Sequence, residues 1–194
     1  MPSPKPTVLA ALTALLLPAF ASAKVPDPRF STIDRIVFGS PSGSHAYRVV
    51  VRGVSNEPIM FRVVTLDFSG TSLRLYTTAE EGTTLNAANR TLSRFSAPDG
   101  SAVFHPRFGG ACNQADVLVQ AEGVVLGHVP ARSTDIDAAN GCVDIADFGR
   151  FAGAYLQAGH PELDFDGSGG MIDLGDFAIF GRDLESGVKG EYCP

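Results

Sequence analysis

Short apolar runs separated by polar turn signals fill the chain from Lys24 to about Pro130. The runs are rich in Val, Phe and Arg, and several alternate apolar with polar positions, which is typical of strands with one buried face. Asn56-Glu57-Pro58 and Pro98-Asp99-Gly100 have the composition of tight turns. The pattern predicts six or seven short strands in an antiparallel β-sandwich. The runs span residues 47–53, 59–68, 73–76, 102–108, 115–123 and 124–129.

A different period governs the C-terminal third, where apolar residues recur every three to four positions. This spacing predicts two short helices, each with one apolar face. Because isolated short helices are marginal in water, we expect the two faces to be buried against each other. The first face comprises Phe148, Phe151, Ala152 and Tyr155, and the second comprises Phe177, Phe180 and Leu184.

The two helical segments belong to an internal repeat. Residues 135–155 align with residues 164–184 at a constant offset, and both acidic and apolar positions coincide. Agreement between the two segments over their whole length indicates a duplicated structural unit. The paired acidic positions are Asp135 with Asp164, Asp137 with Asp166, Asp144 with Asp173, and Asp147 with Asp176.

Charge is concentrated in the same third of the chain. Residues 24–134 contain 11 Lys and Arg against 9 Asp and Glu, whereas residues 135–194 contain 3 against 12. A strongly acidic region repels nucleic acid and anionic membranes but attracts hard divalent cations, whose ligands are mostly carboxylates. We therefore expect no nucleic-acid partner.

Each acidic segment has the layout of a metal-binding loop. Two early aspartates can point to one place across a glycine-containing turn, and a later aspartate in the first turn of a helix can close the site. We expect Val143 and Ile172 to form a small strand-like pair between the loops. The alternative is a solvated turn with N-capping aspartates, and duplication in matched register favours the metal site.

Paired Asp-rich loops, each followed by an Asp-Phe-x-x-Phe helix and joined by a Pro-containing linker at residues 159–163, resemble the dockerin module. This resemblance implies a duplicated, EF-hand-related calcium-binding fold that attaches a secreted protein, often one that degrades polysaccharide, to a cohesin-like protein partner. Each loop here counts 13 positions where the usual loop has 12. The resemblance implies one or two Ca²⁺ ions held by Asp135, Asp137, Asn140, the Cys142 carbonyl, Asp144 and Asp147 in the first loop, and by Asp164, Asp166, Ser168, the Met171 carbonyl, Asp173 and Asp176 in the second.

The N-terminal region carries a second, shorter resemblance. Residues 99–104, a Gly-Gly loop and residues 115–127 are similar to the final strands of bacterial immunoglobulin-like surface domains. The resemblance implies an immunoglobulin-like sandwich.

The first residues predict export. Lys5, an apolar run from Val8 to Phe20 and the Ala21-Ser22-Ala23 triplet have the layout of a signal peptide, and no later stretch is long and apolar enough to span a membrane. We expect a secreted or cell-surface protein, in which disulfides are allowed. The pairing we consider joins Cys142 to Cys193 and leaves Cys112 free or paired elsewhere.

Catalytic motifs are not evident in the sequence. His45, His105 and His128 lie in separate runs with no adjacent nucleophile, and Asp67 and Asp116 can form a carboxylate pair only through folding. We therefore expect a noncatalytic protein.

The predicted organisation is a signal peptide (1–23), an immunoglobulin-like β-sandwich (24–130), a linker (131–134) and a small all-α dockerin-like domain (135–194). The predicted function is calcium-dependent attachment or assembly. The alternatives are a small carbohydrate-active enzyme, and an adhesin-type structural protein in which the repeat is only a stabilising cap.

Overall fold

The computed structural model describes residues 24–76, 80–111 and 116–188. Within these ranges the chain is mainly β, followed by two helices, which confirms the expected β-rich region with a small helical part. We call residues 24–133 the β region and residues 135–188 the helical region. The elements are β1 (Thr32–Ile33), β2 (Val37–Gly39), β3 (Tyr47–Val50), β4 (Val63–Asp67), β5 (Arg74–Leu75), β6 (Thr83–Asn86), β7 (Thr91–Phe95), β8 (Ser101–Phe104), β9 (Phe108–Gly109), β10 (Asp116–Ala121), β11 (Val124–Ser133), α1 (Ile145–Ala154) and α2 (Leu174–Val188).

Within the described ranges, the strands form three sheets. The largest has the order β2-β11-β10-β4-β7-β6, the second has the order β1-β3-β8, and β5 pairs with β9. Pairing is antiparallel except between β11 and β2, which run parallel. The two larger sheets share one hydrophobic cluster, to which Val64, Leu66 and Val119 contribute from one sheet and Tyr47 and Phe104 from the other.

Four strands are not anticipated from the sequence: β1, β2, β6 and β7. Strands β1 and β2 are only two and three residues long, too short to show a period of two. Strand β6 lies at an edge of the largest sheet and reads Thr-Thr-Leu-Asn, so it has few apolar positions to signal a strand.

Residues 131–133, expected in a linker, instead continue β11. Ala131, Arg132 and Ser133 pair with Val37, Phe38 and Gly39 of β2. Polar side chains at the end of β11 find partners inside the protein: the Ser133 hydroxyl donates to the Phe108 carbonyl at 2.8 Å. The β region therefore leads into the first acidic loop without an exposed connection.

Helices α1 and α2 pack through aromatic rings. Phe151 stacks on Phe180 with ring centroids 5.0 Å apart. The same cluster includes Phe38 of β2, which meets Phe165 edge-on at 5.4 Å, and Ile36 packs against it. The apolar interior of the helical region thus continues into the β region.

Ile172 forms the expected strand-like link, but not with Val143. Its N–H donates to the Gln157 carbonyl at 3.0 Å, and its carbonyl accepts from Leu156 N–H at 2.8 Å. Both partners follow α1, whereas Val143 is buried in the helical cluster. The second loop is therefore tied to the end of the first helix.

Some predictions fall on residues outside the described ranges. These include the signal peptide at residues 1–23 and the pairing of Cys142 with Cys193, which both stay predictions. Neither of the described helices has the length and apolar character needed to cross a membrane.

Candidate metal centre

Each acidic loop gathers three carboxylates into one place. We call residues 135–147 loop 1 and residues 164–176 loop 2. Within each triad, one oxygen from every carboxylate lies within 4.8 Å of the others, so each triad could hold a metal ion. The triads are Asp135, Asp137 and Asp147 in loop 1, and Asp164, Asp166 and Asp176 in loop 2.

The closing aspartate of each loop is fixed by backbone N–H groups. In loop 1 the Oδ1 atom of buried Asp147 accepts from Ile136 and Asp137 at 2.7 and 3.0 Å, and its Oδ2 accepts from Asp144 at 3.0 Å. Loop 2 repeats this pattern, because Asp176 accepts from the N–H groups of Asp166 and Asp173 at 3.1 and 2.9 Å. Backbone hydrogen bonds thus hold each loop closed on the first turn of its helix.

Asp144 and Asp173, both predicted ligands, lie outside the triads and cap the helices. Their Oδ1 atoms accept from Ala146 N–H at 2.8 Å and Gly175 N–H at 2.7 Å, as N-cap residues do. Asn140 forms a hydrogen bond within loop 1, because its amide group donates to Asp144 Oδ2 at 2.7 Å.

Of the remaining predicted ligands, Asn140, Ser168 and Met171 are exposed, whereas Cys142 is buried. The Asn140 carbonyl oxygen accepts from Cys142 N–H at 2.9 Å. Ser168 is exposed, and Met171 is exposed and forms an isolated bridge with Ala158. The ligand roles of Asn140, Cys142, Ser168 and Met171 stay predictions.

Burial dominates the electrostatics of loop 1. It raises the pKa of Asp135 to about 6, although the hydrogen bond from Tyr76 lowers that pKa, and the nearby charge of Asp147 raises it further. Burial also raises the pKa of Asp147 and of Asp176, against the backbone hydrogen bonds that lower both. Carboxylates in these positions are costly to ionise without a compensating positive charge.

Loop 2 contains a buried carboxylate oxygen without a hydrogen-bond partner. Asp164 is 6% exposed, and its Oδ1 is buried and unbonded. Its Oδ2 accepts from Gly169 N–H at 3.2 Å and lies 3.5 Å from Arg132 Nη2. Since nearly all buried polar atoms in proteins are satisfied, this oxygen is free to accept a further ligand, and a bound cation would satisfy it.

Side chains of the β region reach both loops. The Tyr76 hydroxyl donates to Asp135 Oδ2 in loop 1, and Arg74 Nη1 donates to the Ala138 carbonyl at 3.2 Å. Arg132, near the end of β11, faces Asp164 in loop 2. Sequence reasoning did not find Tyr76 or Arg132, because no local pattern links them to the acidic residues.

A buried carboxylate in α2 also joins the two regions. Asp183 is 2% exposed and accepts from the Thr134 hydroxyl at 2.7 Å and the Ser44 hydroxyl at 3.0 Å, while His45 Nε2 lies 2.7 Å away. Burial raises the pKa of Asp183, but these hydrogen bonds and the charge of His45 outweigh burial and lower it overall. One sequence signal could have found this residue, since Asp183 is seven positions after buried Asp176 and so shares its helix face.

The predicted apolar faces of the helices are only partly buried. Phe151 is 1% exposed, but Tyr155 and Phe177 are 37% and 39% exposed, and Leu174, which lies outside the predicted faces, is 69% exposed. Together with their neighbours they form an open apolar groove of about 310 Å³ between the helices. The groove is lined by Phe148, Phe151, Ala152, Tyr155, Leu174 and Phe177.

The three histidines of the β region lie apart from the acidic triads. His45 bonds to Asp183, His105 Nδ1 lies 3.2 Å from the Gly43 carbonyl, and His128 is exposed on β11. The Ser44 hydroxyl donates directly to Asp183, so Ser44, His45 and Asp183 do not form the serine–histidine–aspartate relay of a hydrolase.

A comparison with known proteins finds no matching family model, no matching curated protein and no matching solved structure. Function is therefore inferred from the geometry of the loops and of the surfaces around them.

Proposed function

We propose that loops 1 and 2 bind calcium and that the chain is a secreted, noncatalytic calcium-binding protein. The observation that carries this proposal is the buried, unpartnered Oδ1 of Asp164 within an acidic triad. A bound cation would satisfy this oxygen and relieve the repulsion among the three carboxylates. The helical region would then be a dockerin-like repeat and the β region an immunoglobulin-like sandwich.

The donor set favours calcium over other common ions. Both triads offer only carboxylate oxygens, whereas zinc sites usually include histidine or cysteine. Loop backbone adjoins each triad and can supply carbonyl oxygens, which calcium accepts in variable number. Magnesium is the less suitable ion, because it requires a smaller and more regular site.

Contacts between the two regions support a structural role for bound calcium. Phe38 of β2 belongs to the hydrophobic cluster of the helices, and Asp183 of α2 is buried against Ser44, His45 and Thr134. An ion that orders the loops would therefore also hold the helices against the β region. In this account the repeat acts as a stabilising cap.

Calcium titration calorimetry of the full chain tests the proposal. We expect binding with a Kd below about 1 mM, as in extracellular calcium modules, and weaker binding of magnesium. Asp164→Asn removes a proposed ligand charge from loop 2 and should weaken or abolish one binding event. Asp99→Asn is the matched control, because Asp99 is exposed in a β-region turn and should have no effect. Absence of calcium binding by the unaltered chain would contradict the proposal.

Attachment to a protein partner, cohesin-like in the dockerin resemblance, is a second candidate function. It is favoured by the open apolar groove between α1 and α2, because contiguous exposed apolar surface commonly marks an interaction site. Calcium-dependent capture of one extracellular protein, lost in Leu174→Asp but kept in Val54→Asp, would support it. Val54 is a suitable control because it is exposed to a similar extent, 64% against 69%, and lies in the β region. Equal capture by both variants would count against a role for the groove.

A further inference from the structure

Loop 1 receives a neutral hydrogen-bond donor from the β region. The Tyr76 hydroxyl donates to Asp135 Oδ2, and Asp135 is fully buried. The backbone closes around this bond: Gly110 N–H donates to the Asp135 carbonyl at 2.6 Å, and an added Cβ on Gly141 would lie 3.3 Å from the Tyr76 ring. Tyr76 therefore fixes the orientation of the Asp135 carboxylate without adding positive charge.

Loop 2 receives a positive charge from the β region instead. Arg132 is 9% exposed, and its Nη2 lies 3.5 Å from Asp164 Oδ2, an ion pair at long range. Its Nη1 is buried and has no hydrogen-bond partner. The influence of Arg132 on Asp164 is therefore mainly electrostatic.

The two contacts should have opposite effects on a bound cation. A hydrogen bond that orients a ligand carboxylate increases metal affinity, and its loss typically costs 10- to 100-fold. A fixed positive charge beside a ligand repels a divalent ion, and this repulsion acts over a longer range than a hydrogen bond. Tyr76 is thus placed to strengthen loop 1, and Arg132 is placed to weaken loop 2.

We propose that the β region sets the calcium affinities of the two loops, with Tyr76 as a positioning residue for Asp135 and Arg132 as a resident counter-charge for Asp164. When no metal is bound, Arg132 compensates part of the negative charge of loop 2 and stabilises its contact with the β region. Calcium must compete with this charge. The proposal rests on the proposed function, since it concerns the affinity of the same two loops.

Titration calorimetry on the full chain, combined with melts in EGTA, tests the assignment. We expect Tyr76→Phe to raise the Kd of one site by about tenfold or more. Arg132→Gln should lower the Kd of the other site by about three- to tenfold and also lower the melting temperature in EGTA. A purely structural role for Arg132 would not increase calcium affinity.

Two control variants match these changes. Tyr47→Phe also removes one buried tyrosine hydroxyl, but that hydroxyl has no hydrogen-bond partner, so both Kd values should stay unchanged. Arg132→Lys keeps the positive charge and should not lower either Kd.

The outcomes separate this proposal from the calcium proposal itself. No calcium binding by the unaltered chain overturns both. If the unaltered chain binds calcium but Tyr76→Phe has the same Kd values, the role assigned to Tyr76 is overturned. If the unaltered chain binds calcium but Arg132→Gln binds it more weakly, the role assigned to Arg132 is overturned. An Arg132→Gln chain that folds only when calcium is present supports the counter-charge role, because calcium then replaces the lost arginine.

Discussion

Gly109 leaves room for the bond between Tyr76 and Asp135. A Cβ atom at this position would overlap the Tyr76 hydroxyl and Asp135 Oδ2, which are both held inside the protein. We expect Gly109→Ala to lower the free energy of unfolding by about 1–3 kcal/mol, the usual cost of overpacking a buried site. Urea unfolding monitored by circular dichroism measures this difference.

Gly149 provides the matched control for that substitution. It lies within α1, and an added Cβ would meet no atom within 4 Å. Because alanine favours the helix over glycine by about 1 kcal/mol, Gly149→Ala should leave stability unchanged or increase it. Equal stability of the Gly109→Ala and Gly149→Ala chains would show that the space beside Asp135 is not needed.

Residue type and spacing identify the triad aspartates in the sequence, but not their partners. The triad members lie within 13 positions of one another and recur in both copies, so their convergence can be predicted. Tyr76 lies 59 positions from Asp135, and Ser44 lies 139 positions from Asp183. Only folding brings such distant residues together. Because no local sequence pattern links them, a single sequence cannot predict these pairs.

Among the elements, α1 and α2 are predicted best, because the capping aspartates and the spacing of apolar residues place the helices in the same segments. Asp144 is the N-cap of α1, and Asp147 completes a reciprocal capping box with it. The end of β11 is predicted worst. The sequence predicts a linker at residues 131–134, but Arg132 and Ser133 belong to β11 and are buried through contacts with loop 2 and with β9.

The contact of α2 with the β region should weaken in acid. The pKa of Asp183 is lowered in the folded chain, so Asp183 contributes stability above its unfolded pKa of about 3.9, and this contribution is lost as pH falls through the lower folded value. Groups facing it are His45 and Ser44 of the β region and Thr134, which follows β11, and Arg182 lies beside it on α2.

Comparison with an Asp183→Asn chain isolates this effect from other carboxylates. Near pH 7 the variant should be less stable by about 1–3 kcal/mol, the cost of disturbing a buried, hydrogen-bonded charge. The difference in unfolding free energy between the two chains should shrink below about pH 4. A difference that stays constant from pH 7 to pH 3 would contradict the role given to the Asp183 carboxylate.

At the scale of the whole molecule, the β region and the helical region are joined on several sides. The connections are the placement of Phe38 in the helical cluster, the hydrogen bond from Ser44 to buried Asp183, and the contacts of Tyr76 and Arg132 with the two loops. The sequence predicts two separate units, because the acidic repeat differs so clearly in composition from the β region. The apolar and buried polar contacts between them become visible only in the folded chain.

Scanning calorimetry of the full chain tests the central claim, that calcium in the loops stabilises the helices and the β region together. With calcium at about 100 times the Kd of the weaker loop, we expect one unfolding transition, stabilised relative to EGTA by at least about 2.7 kcal/mol for each loop that binds the ion. A melt that is the same with calcium and with EGTA, or a calcium-sensitive helical transition separate from an unaffected β transition, would contradict the account.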